Sequence, residues 1–193
     1  MAMEGRSAKV QEQVRVPGHD DKFRELIVYI SAKGQDDPWF GRIKLNKILF
    51  YSDFRSFRRR GQPITGVAYR RLPQGPAPKN LVPVLNELHR DGSVTTQVRL
   101  VGGKEQKRPI ALRSPNLKFF SGEEIAIVDE VISELLGKSA TVVSNESHGI
   151  QWNTRNHMDP MPYESALLSD DQTTADDVYR AKELIAELKI SFK

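Results

Sequence analysis

The chain has 193 residues, a formal net charge of +4 and no cysteine. That length fits one domain able to bury a core without covalent staples, and the missing thiols exclude disulfides and thiolate metal sites, as suits a cytoplasmic protein. No apolar run approaches the roughly 20 residues of a membrane span, and residues 1–21 lack the apolar centre of a signal peptide, so they are expected to form a flexible arm.

Phe23, Leu26, Ile27 and Ile30 recur at helical spacing and predict a helix over 22–33, stopped by Gly34. QDDPWFGR follows as a turn, because a residue before proline avoids helical backbone. Residues 42–60, RIKLNKILFYSDFRSFRRR, give the strongest helix. Ile43, Lys44, Lys47, Ile48, Tyr51, Phe54, Arg55 and Arg58 lie along neighbouring rows, and Leu45, Leu49 and Phe50 widen the apolar arc until the helix is expected to be largely buried. Gly61 ends it. Residues 61–70 read as a turn and a short extended piece, and RLPQGPAPKN, with its three prolines, as a rigid loop. A second amphipathic helix is predicted over 79–91, with Leu81, Val84, Leu85 and Leu88 inward and Pro83 in the first turn. Alternation through Val94, Thr96, Val98 and Leu100, a turn at Gly102-Gly103 and a return through 108–112 predict a hairpin.

Ser121-Gly-Glu-Glu124 has the form of a capping box and opens a helix to about Leu136, with Ile125, Val128, Ile132 and Leu135 as its stripe. A short helix is expected over 141–149, HMDPMPYESALLSDD is loop-like, and Thr174-Ala-Asp-Asp177 caps a last helix over 175–189. The expected fold is mainly α within the α+β class: a compact helical domain with one small antiparallel hairpin, its helix–hairpin unit resembling a winged helix.

The small net charge hides a division. Residues 42–118 carry 17 Lys/Arg against 4 Asp/Glu, whereas residues 119–193 carry 6 against 14. Such a field steers charged partners, or lets the two halves attract each other within one fold.

Ser144-Asn-Glu-Ser-His-Gly-Ile-Gln-Trp152 gathers the ingredients of a nucleophilic triad. A triad is assembled in space, however, and no Gly-x-Ser-x-Gly elbow or glycine-rich oxyanion segment accompanies it. The competing reading is a buried polar knot whose hydrogen bonds are satisfied, with Trp152 as an amphipathic plug. His148 and His157 with Glu146 and Asp159 match no metal-site spacing, and Gly102-Gly103-Lys104 suits a hairpin turn better than a phosphate loop. In the winged-helix reading Lys104, Lys107 and Arg108 would sit on a wing near phosphates, Arg58, Arg59, Arg60, Arg70 and Arg71 would extend the stripe, and Lys79, Asn80, Asn86 and Arg90 would be the few base-reading side chains.

Several motifs occur together in a fixed order. Lys44-Leu-Asn-Lys-Ile-Leu-Phe-Tyr-Ser-Asp53, Gly61-Gln-Pro-Ile-Thr-Gly66, Tyr69-Arg-Arg-Leu-Pro-Gln-Gly-Pro-Ala-Pro78, Leu85-x-x-Leu88 before Gly92, Phe120-Ser-Gly-Glu-Glu124 and Ser144-Asn-Glu-Ser-His148 with Trp152 make up the set. Over residues 22–165 the chain resembles the Panacea, or SocA-like antitoxin, domain family, which is phage-associated. Arg71, Gln74 and Val143 depart from the family pattern. The resemblance implies an antitoxin of a toxin–antitoxin system that neutralises a protein toxin by direct contact; one member hands its toxin to a protease as an adaptor. It implies no enzymatic activity and no cofactor, and the partners it suggests are the toxin and a protease or chaperone, with no membrane. The alternative is a winged-helix-like DNA-binding regulator. Residues 1–21 and the acidic linker and helix of 166–193 lie outside the resemblance. A toxin interface needs aromatic or arginine anchors in desolvated pockets; the candidates are Tyr51, Tyr69, Arg70, His148 and Trp152, with Arg55 and Arg58 on the rim.

Overall fold

The computed structural model describes residues 19–168 and Tyr179. Of the expected arm over 1–21, residues 1–18 lie outside the described residues and 19–21 are the first residues of a helix; the expected last helix over 175–189, apart from Tyr179, also lies outside the described residues. In chain order the elements are α1 (His19–Lys33), α2 (Arg42–Arg60), β1 (Tyr69–Leu72), β2 (Gly75–Pro78), α3 (Leu81–Arg90), β3 (Val94–Val101), β4 (Lys104–Ala111), α4 (Gly122–Leu135), α5 (Ala140–Glu146), α6 (Ile150–Asn153) and β5 (Pro160–Met161). Short 3-10 turns at Gly34–Asp36, Leu117–Phe119 and Tyr163–Leu167 complete the set. The mainly α, α+β class holds.

Helix α2 is the axis of the molecule. It packs against α1, α4, α5, β2, β4 and the Tyr163–Leu167 turn, and Leu45, Ile48, Leu49, Phe50 and Phe54 are all buried. So are two of its lysines and Asp53, which an all-round apolar contact would otherwise exclude. Gly61 closes α2 in the left-handed region, φ 73°, with its N–H returning to Phe57 O at 2.8 Å. The four α1 residues expected inward are buried, joined by Val28 and Tyr29. On α4 the capping box forms: Ser121 Oγ accepts from Glu124 N at 3.2 Å, and Glu124 Oε2 accepts from Ser121 N at 2.9 Å. The buried stripe of α4 is Ile127, Val128, Val131 and Leu135, with Ile125 and Ile132 only half-buried. The expected stripe is therefore rotated, because Glu124 turns inward to meet Lys22 at 2.7 Å and Arg60 at 3.2 Å.

The stretch expected to be a rigid loop is a hairpin. β1 pairs antiparallel with β2, Tyr69 opposite Pro78, and with β5, Tyr69 opposite Met161, giving the order β2-β1-β5. Pro76, Pro78 and Pro160 all fall on the two outer strands, where a missing N–H interrupts no second ladder, and the central strand YRRL has none. The fold thus holds a second sheet beside the expected hairpin β3–β4. That hairpin is buried at its base, through Val94 and Arg108, and projects at its tip, where Val98 and Leu100 are exposed.

The charge division is largely satisfied within the fold. Arg55 grips Glu134 with two bonds of 2.6 Å, Arg59 meets Glu130 at 2.8 Å and Arg60 meets Glu123 at 3.1 Å, tying the basic end of α2 to the acidic α4. These pairs are half-exposed, so each stabilises by about 0.2–1 kcal/mol.

Buried Asp53 joins three parts of the chain. Its carboxylate accepts from Thr65 N at 2.7 Å, Thr65 Oγ1 at 2.5 Å and Tyr69 Oη at 2.8 Å. Asp53→Ala leaves the Thr65 amide and the Tyr69 hydroxyl buried without that acceptor, at about 1–3 kcal/mol for each orphaned group. The expected loss is about 3 kcal/mol, or about 10 °C in Tm, read by denaturant and thermal unfolding; a loss below about 1 kcal/mol would show that the carboxylate does not organise this region.

Candidate functional site

The SNESHGIQW stretch forms the corner between α5 and α6 and clamps the β1–β2 turn. Ser144 Oγ donates to Gln74 O at 2.9 Å, Ser147 Oγ donates to Ser144 O at 2.6 Å, and Trp152 Nε1 donates to Leu72 O at 3.0 Å. Both serine hydroxyls are thus engaged by backbone carbonyls rather than by the imidazole. His148 instead lies flat on Trp152, ring centroids 3.8 Å apart and planes inclined by 16°. The guanidinium of Arg71 sits 3.7 Å over the Trp152 ring, a cation–π contact. His148 Nε2 is buried without a hydrogen-bond partner. Burial first, then the charges of Lys47 and Arg71, hold the imidazole below its usual pKa. The result is a half-exposed stack of imidazole, indole and guanidinium fixed to a hairpin turn.

Behind the turn lies Lys47, 1% exposed, with Nζ donating to Pro76 O at 2.9 Å. Burial pushes its pKa down from 10.5 to about 7. Gly75, φ +91°, lets the turn pass over it: a Cβ there would lie 2.5 Å from Lys47 Nζ and would collide with Ser147 Oγ. A cleft of about 210 Å³ opens beside this amine, its lining including Asn46, Leu72, Gln74 and Gly75.

The structure separates the sequence-expected interface residues. His148 and Trp152 come together at the stack. Arg70 and Arg71 are neighbours on β1, and Arg71, not Arg70, joins the aromatic pair; Arg70 is half-buried and makes no ion pair among the described residues. Tyr51 is half-buried against the core, its hydroxyl pKa pushed up to about 12 chiefly by burial. Tyr69 is corrected from surface anchor to core: it is 3% exposed, and its hydroxyl is held by Asp53. Arg55 is engaged by Glu134, and Arg58 is exposed with no ion pair among the described residues.

The expected basic stripe is broken. Arg108 is 2% exposed and donates to the carbonyls of Gly34, Gln35 and Asp37, pinning β4 to the end of α1, so it cannot serve on a wing. Arg59 and Arg60 are paired with α4 carboxylates. What remains is a groove of about 440 Å³ between α3 and the β3–β4 hairpin, lined by Arg42, Asn86, His89, Arg90, Thr96 and Lys107 among others. No group of three or more His, Asp or Glu able to hold a metal ion occurs among the described residues, and no helix there is long and apolar enough to cross a membrane.

Lys47 is legible in the sequence only as a cation among the apolar residues of α2, and nothing in the pattern distinguishes it from Lys44. Its burial has a consequence for pH. The unfolded chain keeps the proton up to about 10.5, whereas the folded one releases it near 7. The stabilising contribution is therefore full above 10.5 and is lost as pH falls through 7. Replacing Lys47 by Met should remove this dependence and raise stability at pH 6 by roughly 2 kcal/mol. Urea unfolding at pH 6 and pH 9 checks it; parallel profiles for the two proteins would contradict a buried, titrating amine.

No match is found among curated proteins or solved structures. The family model described as "Antitoxin SocA-like, Panacea domain" matches residues 45–153, the segment running from α2 through α6. It takes in Lys47, the Asp53 hub, both sheets' hairpins, the α4 capping box and the His148–Trp152 stack, and on that match the chain belongs to the SocA-like antitoxin Panacea domain family.

Proposed function

We propose that the protein neutralises a protein toxin by direct contact, through the surface formed by the β1–β2 turn and the α5–α6 corner. Membership of an antitoxin family supports a toxin as partner. The observation that selects the surface is the stack of Arg71, Trp152 and His148, half-exposed and rigidly backed. Tryptophan and arginine dominate binding energetics where they are held in place, because little conformational freedom is lost on contact. Hydroxyls occupied by backbone carbonyls favour a structural role for Ser144 and Ser147 over a nucleophilic one. Occlusion of the toxin is the mechanism this surface serves most simply; delivery to a protease would add a second contact elsewhere.

Co-expression with the product of the adjacent gene tests the proposal. Expected are toxicity of the neighbour alone, rescue and co-purification with this chain, and a roughly 30-fold loss of affinity on Arg71→Ala, the size of a hot-spot truncation. A harmless neighbour, or no complex, would overturn neutralisation.

A second reading rests on the groove between α3 and the hairpin. Arg42, Arg90 and Lys107 line it with no carboxylate among its lining residues, the arrangement a nucleic-acid backbone would use. Three phosphate contacts predict a fall of about 40-fold in DNA affinity between about 50 and 200 mM salt. Absence of binding at the lower salt removes this reading.

A further inference from the structure

Two lysines three residues apart on α2 are equally buried and oppositely provided for. Lys44 and Lys47 are each 1% exposed. Lys44 Nζ meets Asp37 Oδ2 at 2.6 Å. Lys47 Nζ has the Pro76 carbonyl and no carboxylate among the described residues. An ammonium carries three donors, so two on Lys47 have no acceptor among the described residues, and burying an unpaired charge is costly enough that folded proteins supply a partner or displace the proton. The charged and titratable groups facing it do not help. Arg71 of β1 and His148 of the α5–α6 corner are cationic or neutral, and β2 and the Gln74 turn carry no ionisable side chain. Tyr51, one turn along α2, is a neutral phenol. Glu146, the carboxylate of α5, is held by Lys138 at 3.0 Å.

Lys47 lines an open space. The cleft of about 210 Å³ is lined by Lys47, Asn46, Ile43, Leu72, Gln74 and Gly75 among others. It is smaller than pockets that hold cofactors or drug-sized ligands, and of a size for one side chain. Asn46 Oδ1, on its wall, is buried without a partner; turned about its last torsion, that amide would donate to an anion in the same space. Gly75 on the same wall packs closely over the amine: a Cβ there would lie 2.5 Å from Lys47 Nζ and collide with Ser147 Oγ, so a side chain at this position would push the amine aside.

We propose that this cleft is the receptor for one carboxylate, an aspartate or glutamate side chain presented by the protein partner, which takes the two unfilled N–H bonds of Lys47. The cleft shares Leu72 and Gln74 with the turn that carries the Arg71–Trp152–His148 stack, so the acid enters beside the proposed anchor. This rests on the antitoxin reading for the source of the acid, not for the chemistry of the receptor. Docking of the carboxylate favours the protonated amine, so association takes up a proton near neutral pH.

The test needs no toxin. The side-chain resonances of Lys47, assigned by their loss in Lys47→Met, are titrated with pH in the full chain labelled with 13C,15N-lysine. The titration is repeated with the blocked peptide Ac-Gly-Gly-Asp-Gly-Gly-NH2 and with its Asn counterpart. The midpoint should rise by about one pH unit with the aspartyl peptide, meaning roughly tenfold tighter binding to the protonated amine, and should not move with the asparaginyl one. Gly75→Ala should abolish the response. A rise with N-acetylaspartate but not with the peptide would overturn the protein source in favour of a free acid. No rise with either would overturn the receptor. Because the wild-type chain alone distinguishes the Asp and Asn peptides, a variant that fails to fold leaves the answer intact. Loss of this response with toxin rescue preserved removes only the receptor, whereas a response without any toxin complex removes only neutralisation.

Discussion

Asp53 is held by hydrogen bonds rather than by a cation: it is fully buried, and no ion pair to it occurs among the described residues. Burial raises its pKa, and hydrogen bonds from Thr65 and Tyr69 oppose that rise without cancelling it. Because those donors come from the segment after α2 and from the first residue of β1, the carboxylate fixes where the chain re-enters the fold after its longest helix. Tyr69, held at its hydroxyl, presents its ring to Phe50, Phe54 and Tyr163 at centroid distances of 5.8, 5.4 and 6.0 Å. Tyr163 closes the same cluster by donating to Val67 O at 2.6 Å. The position of β1, and with it the whole turn that carries the candidate site, depends on one acid with its acceptors filled.

From that anchor the site follows in two steps. The β1–β2 turn is laid over α2 at Gly75, where only glycine leaves room for the amine and hydroxyl beneath. The α5–α6 corner then grips the turn from outside by donating to its carbonyls. Polar residues at such a corner resemble catalytic ones because the same chemistry, strong donors on short side chains, serves both ends. Here the donors go to backbone carbonyls of the β1–β2 turn and of α5. The stack of Arg71, Trp152 and His148 is what this construction leaves facing outward.

The two buried lysines express a division of labour on one helix face. Lys44, paired with Asp37, ties α2 to the turn after α1. Lys47 is held by a single carbonyl and has no carboxylate partner among the described residues. A fold that retains the second arrangement bears an electrostatic cost that a bound anion offsets. The polarised surface has a similar logic: most of the α2 arginines are neutralised by α4, whereas Arg42, Arg90 and Lys107, the last of them 3.5 Å from Glu105, gather at the groove between α3 and the hairpin.

The sequence by itself determined the longer helices, because their periodicity, caps and stop residues are local: α2 from 42 to 60 and the Ser121–Glu124 box stand where their patterns place them, whereas the short helix expected over 141–149 ends at Glu146 and α6 follows it. It also carried the family, since ordered motifs survive without knowledge of contacts. Local pattern did not reveal the second sheet, because prolines argue against strands until it is known that β2 and β5 are edges. Nor could it rank charged residues. Arg108, Arg55, Lys44 and Lys47 are all basic side chains on amphipathic segments, and only packing decides that the first binds carbonyls, the second and third bind carboxylates, and the last faces a cleft. Tyr69 and Trp152 divide in the same way, one inside and one half-exposed. Burial and pairing join residues from 7 positions apart, for Asp37–Lys44, to 102, for Lys22–Glu124, and no local periodicity reports which partner a side chain finds.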